Sequence, residues 1–304
     1  MTTFNSILDV IGNTPLVKIP LPCAASVYAK MEYMNPAGSI KDRSALYMVQ
    51  QAENQGKLKR GGVIVEPSSG NMGIALAMIG RLKGYRVIIT LSDKTAQQKI
   101  DTLKAYGAEV VICPMVTDQK DPRGYYKQAH KIAKETGAYM PDQFHNPDNA
   151  LAHYYGIGPE IWRETQGKVT HFVAAAGTAG TVSGAGRFLK EQNKNIKIYA
   201  VDPETSFHST KGSPRPYAVE AFGIDAPSDL IDFSVIDDVI PVADADVFEM
   251  TRTLCHTYGH LVGFSSGAAA LGVMKIANTL TEKDVVVFPL CDSGKPYLHK
   301  LFGK

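Results

Sequence analysis

The alternation of hydrophobic and polar positions along the chain predicts short buried strands separated by amphipathic helices. Residues 63–66, VIVE, form an apolar run typical of a strand. After the turn PSSG, apolar residues recur at helical spacing, as shown by Ile74, Ala75, Met78 and Leu82. Because this alternation repeats along the chain, we expect an α/β fold of mostly parallel sheets flanked by helices.

The same patterns place the other elements. Further strands are predicted at residues 86–91, 108–113, 169–176, 196–202 and 285–290. Helices are predicted at residues 42–55, 71–84, 97–107, 121–137, 181–192 and 265–278. Ligands of such folds bind at the carboxyl ends of strands, so the loops after Glu66, Ala176 and Leu290 are the expected sites of chemistry.

Composition narrows the class of protein. The 304 residues are 44% hydrophobic and 20% charged, as in globular enzymes, and the length suggests two domains. A formal net charge of +2 gives no reason to expect nucleic acid or an anionic membrane as partner. No membrane-length apolar run and no signal peptide are visible. The four cysteines are widely separated, which is typical of a reduced, cytoplasmic protein.

The loop Gly177–Thr181, GTAGT, lies between a predicted strand and a predicted helix. Small residues let the backbone approach a ligand, and the helix start offers free N–H groups, so the loop suits a phosphate. The alternative is a plain tight turn. No Walker motif occurs and the glycine spacing does not match a dinucleotide fingerprint, although Asp202 stands where a ribose-binding acid would, which keeps a nicotinamide cofactor open.

The loop Ser68–Met72, SSGNM, has the same placement after a strand. Its N–H groups and hydroxyls can hold a second anion, such as an amino-acid carboxylate. A helix N-cap without any ligand is the alternative.

Two other motifs carry competing interpretations. Residues 263–267, GFSSG, match the nucleophile elbow of hydrolases, and Ser265, Asp284 or Asp292, and His299 follow in triad order. No oxyanion motif precedes this stretch, so capping of the next helix is the favoured interpretation. The clustered residues Cys255, His256 and His260 lack the glutamate of a zinc-protease motif, and no metal site is predicted.

Lys41 opens a predicted helix within the stretch NPAGSIKDRS. By itself it is most simply an exposed surface charge. However, the positive end of the helix dipole and burial would both lower its pKa and free its amine to attack a carbonyl. Together with a phosphate loop and a carboxylate loop, an activated lysine points to pyridoxal 5'-phosphate as cofactor.

At this point a family resemblance is visible. Four motifs, NPAGSIKDRS, EPSSGNMG, GTAGT and CDSG, occur in the order and spacing of the cysteine synthase and cystathionine β-synthase family, and the similarity extends over nearly the whole chain. The resemblance implies pyridoxal-phosphate enzymes of fold type II, similar to the tryptophan synthase β chain. It also implies two domains, each a mostly parallel twisted sheet flanked by helices. Residues 36–145 are the expected smaller, mobile domain, and residues 1–35 plus 146–304 the larger, cofactor-phosphate-binding domain.

The family implies a role at each matching position. Lys41 resembles the Schiff-base lysine that also moves the proton at Cα, Asn71 the partner of the cofactor's ring oxygen, and Ser293 the hydroxyl partner of its pyridine nitrogen. The remaining matches are the phosphate cup Gly177, Thr178, Ala179, Gly180 and Thr181, the carboxylate loop Ser68, Ser69, Gly70 and Met72, and Gln143 as a further carboxylate contact.

The chain departs from the family pattern at several positions. Ala179 and Ala221 stand at usual glycines, and Met72 replaces a usual threonine of the carboxylate loop. Glu220, the other expected substrate contact, resembles the cystathionine synthase branch. Asp292 precedes Ser293, and the expected ring contact would change if Asp292 met the ring instead.

The implied reaction is β-replacement on L-serine or O-acetyl-L-serine through an α-aminoacrylate intermediate. A thiol is added: sulfide gives cysteine, and homocysteine gives cystathionine. The alternatives are serine/threonine dehydratase-type β-elimination and β-cyanoalanine synthase chemistry. The resemblance further implies a homodimer and leaves open serine acetyltransferase as a partner.

Overall fold

The computed structural model describes residues 3–116 and 121–303. The strands in this part of the chain are β1 (Leu16–Lys18), β2 (Ser26–Lys30), β3 (Val63–Pro67), β4 (Arg86–Ser92), β5 (Glu109–Cys113), β6 (His171–Ala175), β7 (Lys197–Pro203), β8 (Asp238–Val242) and β9 (Val285–Pro289). The helices are α1 (Lys41–Asn54), α2 (Asn71–Lys83), α3 (Gln97–Ala105), α4 (Tyr125–Thr136), α5 (Asp148–Tyr155), α6 (Ile157–Glu164), α7 (Gly180–Gln192), α8 (Asp244–His256), α9 (Phe264–Lys275) and α10 (Leu298–Phe302).

The strands form two sheets. The larger has six strands in the order β1-β2-β9-β6-β7-β8, and the smaller has three in the order β3-β4-β5. Strands β1 and β2 pair antiparallel, whereas the other neighbouring pairs in the described residues are parallel. Parallel neighbours need crossover connections, and helices supply most of them, as expected of an α/β fold.

Helix α2 shows how sequence and packing agree. Its residues Met72 to Gly80 are all buried, since α2 packs against both α1 and the sheet strand β4. The helix ends where Gly84 adopts a left-handed conformation with φ 78°, which glycine reaches without a steric penalty. A side chain at Gly80 would overlap Val87 of β4, so helix and strand approach closely there.

All the strands and helices predicted from the pattern are present, with shifted ends. The predicted helix 121–137 begins only at Tyr125, because the preceding residues turn at Gly124. The predicted helix 97–107 ends at Ala105, before Gly107, whose φ is 83°. The pattern did not place strands β1, β2 and β8 or helices α5, α6, α8 and α10.

The smaller sheet and helices α1 to α4 lie within residues 36–145, and the larger sheet lies outside these bounds. The division into a mobile and a fixed domain stays a prediction. Residues 1–2, 117–120 and 304, which belong to the predicted domains, lie outside the described part of the chain.

Candidate active site

A cleft opens at the carboxyl ends of strands β3, β6 and β9, where such folds bind ligands. It is lined by Ile40, Lys41, Asn71, Ala175, Gly177, Thr178, Ala179, Thr181, Ala221, Ser265 and Cys291. The three loops expected to carry chemistry, those after Glu66, Ala176 and Leu290, therefore converge. The first two loops follow strands of different sheets, so the smaller and larger sheets both contribute residues to the cleft.

Lys41 stands at the first position of α1, with its N–H donating to the Ser39 hydroxyl at 3.2 Å. Its side chain reaches into the cleft instead of pairing with an acid on the surface. Desolvation lowers the pKa of Lys41 from its ordinary value, while Cys291 and Asp292 act in the opposite direction. The structure thus supports a reactive amine over an exposed surface charge.

The carboxylate loop is shaped by Ser68, whose hydroxyl accepts the N–H groups of Gly70 at 3.3 Å and Gly73 at 3.1 Å. This bond pattern fixes the turn between β3 and α2. Ser69 is exposed, and a Cβ added at Gly70 would meet no atom within 4 Å, so the loop leaves open space beside it. The Met72 side chain is buried in the apolar core of the smaller sheet, and Asn71 is the residue of this loop that lines the cleft.

Gln143 is held through its backbone at the edge of this loop. Its N–H donates to Glu66 Oε1 at 3.2 Å, and the Asp142 N–H donates to Glu66 Oε2 at 2.8 Å. Burial raises the pKa of Glu66 to about 8, against the effect of these two bonds. Sequence reasoning did not single out Glu66, although a glutamate inside an otherwise apolar strand was a visible signal.

The phosphate-loop candidate runs from the end of β6 into α7. Ala179 adopts the left-handed conformation with φ 63° directly before the helix, and Gly177, Thr178, Ala179 and Thr181 line the cleft where α7 begins. Gly177 has to be small, since a Cβ there would lie 3.3 Å from the Ala221 carbonyl oxygen. The hydroxyls of Thr178 and Thr181 are nearly buried within the same loop.

Asn71 and Asp292 meet across the cleft. Asn71 Nδ2 donates to Asp292 Oδ2 at 2.7 Å, and the Tyr297 hydroxyl donates to the same oxygen at 2.8 Å. Burial raises the pKa of Asp292, against these two bonds. Ser293 is not among the lining residues, and its hydroxyl accepts the Lys295 N–H at 3.3 Å. A ring contact by Ser293 therefore stays a prediction.

Glu220 precedes Ala221, which lines the cleft. Lys99 and Lys300 both pair with its carboxylate, and Lys99 Nζ lies 2.7 Å from Glu220 Oε2. Burial raises the pKa of Glu220, but hydrogen bonds from the two lysines outweigh it and the pKa is lowered. Ala221 has φ 70°, a strained value for alanine.

The structure does not support the hydrolase triad or the nicotinamide site. Asp284 bonds Thr281 and lies 3.8 Å from His171, and Asp292 is occupied by Asn71 and Tyr297, so the hydrolase triad is not assembled. Asp202 accepts the N–H and hydroxyl of Ser209, instead of facing a ribose site. Within residues 3–116 and 121–303, no cluster of His, Cys, Asp or Glu could hold a metal ion. None of the described helices is both long and apolar enough to cross a membrane.

The site fits pyridoxal 5'-phosphate. An amine with lowered pKa, the start of helix α7 with two threonine side chains, and Asn71 line one cleft. The residues present are therefore those that the cofactor needs.

Comparison with known proteins agrees with this chemistry. The chain belongs to the family described as pyridoxal-phosphate dependent enzymes, whose family model matches residues 7–292. Pyridoxal phosphate is accordingly its cofactor, and the predicted family and enzyme class are confirmed.

Curated relatives cover nearly all of the chain. Cysteine synthase B of Salmonella typhimurium is 39% identical, over 99% of this chain and 97% of the relative. Cystathionine beta-synthase of Apis mellifera is 41% identical over 98% of this chain, which spans only 61% of that relative's length.

Solved structures show the same fold. An O-ureido-L-serine synthase superposes with a TM-score of 0.93 at 34% identity, covering 98% of this chain and 94% of the other. An O-acetylserine dependent cystathionine beta-synthase from Helicobacter pylori superposes with a TM-score of 0.90 at 34% identity, covering 98% of each chain. The predicted fold class is confirmed.

Proposed function

We propose that this chain catalyses β-replacement on L-serine or O-acetyl-L-serine, in which a thiol takes the place of the β-substituent. The observation that carries the proposal is the placement of the Lys41 amine in one cleft with Asn71 and the threonine cup. The named relatives, cysteine synthases and cystathionine β-synthases at about 40% identity, support the same reaction class.

When bound, pyridoxal phosphate supplies an aldehyde for amino groups and a ring that withdraws electrons from Cα. Lys41 would hold the aldehyde, residues 177–181 the phosphate, Asn71 the ring oxygen and Ser293 the ring nitrogen. Lys41 Nζ then takes the proton from the substrate Cα and holds it while the β-substituent leaves, for which a lowered pKa is needed. In this proposal residues 68–70, the Met72 N–H and Gln143 bind the substrate carboxylate, and Glu220 is a further substrate contact.

The decisive experiment has two stages. Purified protein should be yellow with cofactor, and Lys41→Ala should lose both the colour of the lysine-bound cofactor and turnover, whereas the exposed-lysine control Lys131→Ala should keep both. A wild-type protein that stays colourless after cofactor addition would overturn the proposal.

The second stage identifies the substrates. Serine, O-acetylserine and O-phosphoserine are each offered with sulfide, homocysteine and cyanide, and kcat/KM is compared. Pyruvate released at the same rate without any nucleophile would establish the dehydratase alternative instead. Preference for cyanide would establish β-cyanoalanine synthase activity.

We also propose that residues 36–145 move as the smaller domain over the larger one when substrate binds. Support comes from the complete three-stranded sheet within these bounds. Hydrogen exchange with and without bound amino acid tests this: protection should rise in residues 68–72 and 97–105. Unchanged exchange would contradict domain closure.

Assembly and location are further proposals. A homodimer is supported by the exposed apolar residues Phe4, Ile7 and Val10 near the start of the chain, and light scattering tests it. A cytoplasmic location agrees with all four cysteines being free. A serine acetyltransferase partner rests on the family resemblance alone, and co-elution of the two proteins tests it.

A further inference from the structure

Two buried side chains of helix α5 contact the threonines of the phosphate-loop candidate. Asn149 and His153 are one helical turn apart, and both are fully buried. Asn149 Nδ2 donates to the Thr178 hydroxyl at 3.0 Å, and His153 Nε2 lies 3.2 Å from the Thr181 hydroxyl. Ser44, three residues after Lys41 on α1, lies between them and contacts both side chains.

The direction of each hydrogen bond follows from one carbonyl group. Asn149 Nδ2 also lies 2.8 Å from the Gln143 carbonyl oxygen, which can only accept, so this end of the amide must be the NH₂ group. Asn149 Oδ1 is then an acceptor, and the hydroxyl of Ser44 donates its single proton to it at 2.7 Å.

The same reasoning fixes the tautomer of His153. The Ser44 hydroxyl oxygen lies 3.0 Å from His153 Nε2, and its proton is already used by Asn149. Nε2 must therefore carry the proton, and its single N–H is shared between the hydroxyl oxygens of Ser44 and Thr181 in a three-centre hydrogen bond. Burial, together with Lys41 and Arg43, lowers the pKa of His153 well below its ordinary value, so the ring is neutral and Nδ1 carries no proton. Nδ1 has no partner among the described residues.

Both threonine hydroxyls are consequently acceptors toward α5. Thr178 accepts from Asn149 and, at 3.4 Å, from the Gly180 N–H, while Thr181 accepts from His153. Neither hydroxyl donates to another atom of the described residues, so each keeps its one proton for a ligand. A phosphate offers acceptors and needs donors of this kind.

We propose that Asn149 and His153 are positioning residues that hold the hydroxyl protons of Thr178 and Thr181 toward the phosphate of the cofactor. The inference rests on the proposed role of residues 177–181 as the phosphate site. Through Ser44 the same network connects helix α1, which carries Lys41, to the phosphate loop. The residues for the two ends of the cofactor are therefore held at a fixed distance from each other. Gly180 is part of this arrangement, because a Cβ there would lie 2.7 Å from Asn149 Oδ1.

The test compares two ligands that differ only in the phosphate. Dissociation constants of pyridoxal 5'-phosphate and of pyridoxal are measured by absorbance titration of the cofactor-free protein. His153→Leu removes the donor and should weaken pyridoxal phosphate about 10-fold, the value of one hydrogen bond, with pyridoxal changed less than about twofold. His153→Gln keeps an N–H donor and should restore most of the affinity.

A double-variant series identifies the mediator. Thr181→Val should show the same loss as His153→Leu, and the two changes together should weaken binding no further than either one. Equal losses for both ligands would show a merely structural histidine and overturn the inference, as would unchanged affinity for pyridoxal phosphate. If His153→Leu fails to fold, His153→Gln and Thr181→Val carry the test: the first should bind like wild type and the second about 10-fold more weakly.

Failure of the inference and of the proposed function are distinguishable. Wild-type protein that binds neither ligand would contradict the cofactor itself. Wild-type protein that binds both ligands equally well would remove the phosphate role of residues 177–181, and with it this inference, while leaving Lys41 chemistry intact.

Discussion

Lys99 and Glu220 form a salt bridge between the part of the chain around the smaller sheet and the part around the larger sheet, with Nζ 2.7 Å from Oε2. Lys99 belongs to helix α3 beside the smaller sheet, and Glu220 to the loop after β7 of the larger sheet. The Lys99 ammonium also lies 4.9 Å from the centroid of the Tyr297 ring, whose hydroxyl bonds Asp292. Glu220 is thus linked through Lys99 and Tyr297 to Asp292, the buried acid that accepts a hydrogen bond from Asn71.

A double-mutant cycle with Lys99→Met and Glu220→Gln should give a coupling energy of about 1 kcal/mol in urea unfolding, because the pair is partly shielded from water. The exposed pair Arg187 and Glu191 provides the control and should couple by less than about 0.5 kcal/mol. Since the pKa of Glu220 is lowered in the folded state, its contribution is present at neutral pH and is lost as the pH falls through that lowered pKa. A coupling that persists in strong acid would contradict this account.

Ala179→Gly should stabilise the protein by about 1 kcal/mol, because φ 63° is strained for alanine and free for glycine. Ala185→Gly within α7 is the matched control and should destabilise by about 1 kcal/mol or more. Unfolding free energies of the cofactor-free proteins measure both, and equal signs for the two variants would exclude backbone strain as the cause.

Arg43→Met should cost about 3–5 kcal/mol, because it leaves the buried carboxylate of Glu32 without its ion-pair partner, whereas Glu160 keeps Lys30. Arg43 Nε lies 2.7 Å from Glu32 Oε2, Nη1 lies 2.6 Å from Glu160 Oε1, and the arginine side chain is only 5% exposed. Arg86→Met breaks the exposed pair with Glu109 and should cost less than about 1 kcal/mol. Similar losses of unfolding free energy in the two variants would mean that burial does not set the contribution of the Arg43 ion pairs to stability.

Glu66→Gln should alter how stability depends on pH. The pKa of the buried Glu66 is raised from 4.5 to about 8, so the folded state binds a proton that the unfolded state has released between these values. The wild-type free energy of unfolding should therefore fall, relative to that of Glu66→Gln, as the pH rises through this window. Parallel pH profiles for the two proteins would show that Glu66 is ionised throughout, held so by the N–H groups of Asp142 and Gln143.

The sequence by itself determined the layered α/β order and the placement of both anion loops. Strand and helix periodicities are local, so they can be recognised without knowing the fold. Each of the loops 68–72 and 177–181 could be expected at the carboxyl end of a strand. Their strands β3 and β6 belong to different sheets, so the convergence of the two loops with Lys41 in one cleft was decided by tertiary structure.

Tertiary structure alone decided which polar groups meet. Helix α5, DNALAHYY, has no clean apolar stripe, because Asn149 and His153 face inward toward partners from α1, the loop at Gln143 and the phosphate loop. Asp292 accepts hydrogen bonds from Asn71 and Tyr297, two residues of distant segments, and this meeting is likewise decided by packing. A buried polar group is tolerated only where partners from distant segments converge on it, and that convergence is a property of packing, which local sequence patterns do not contain.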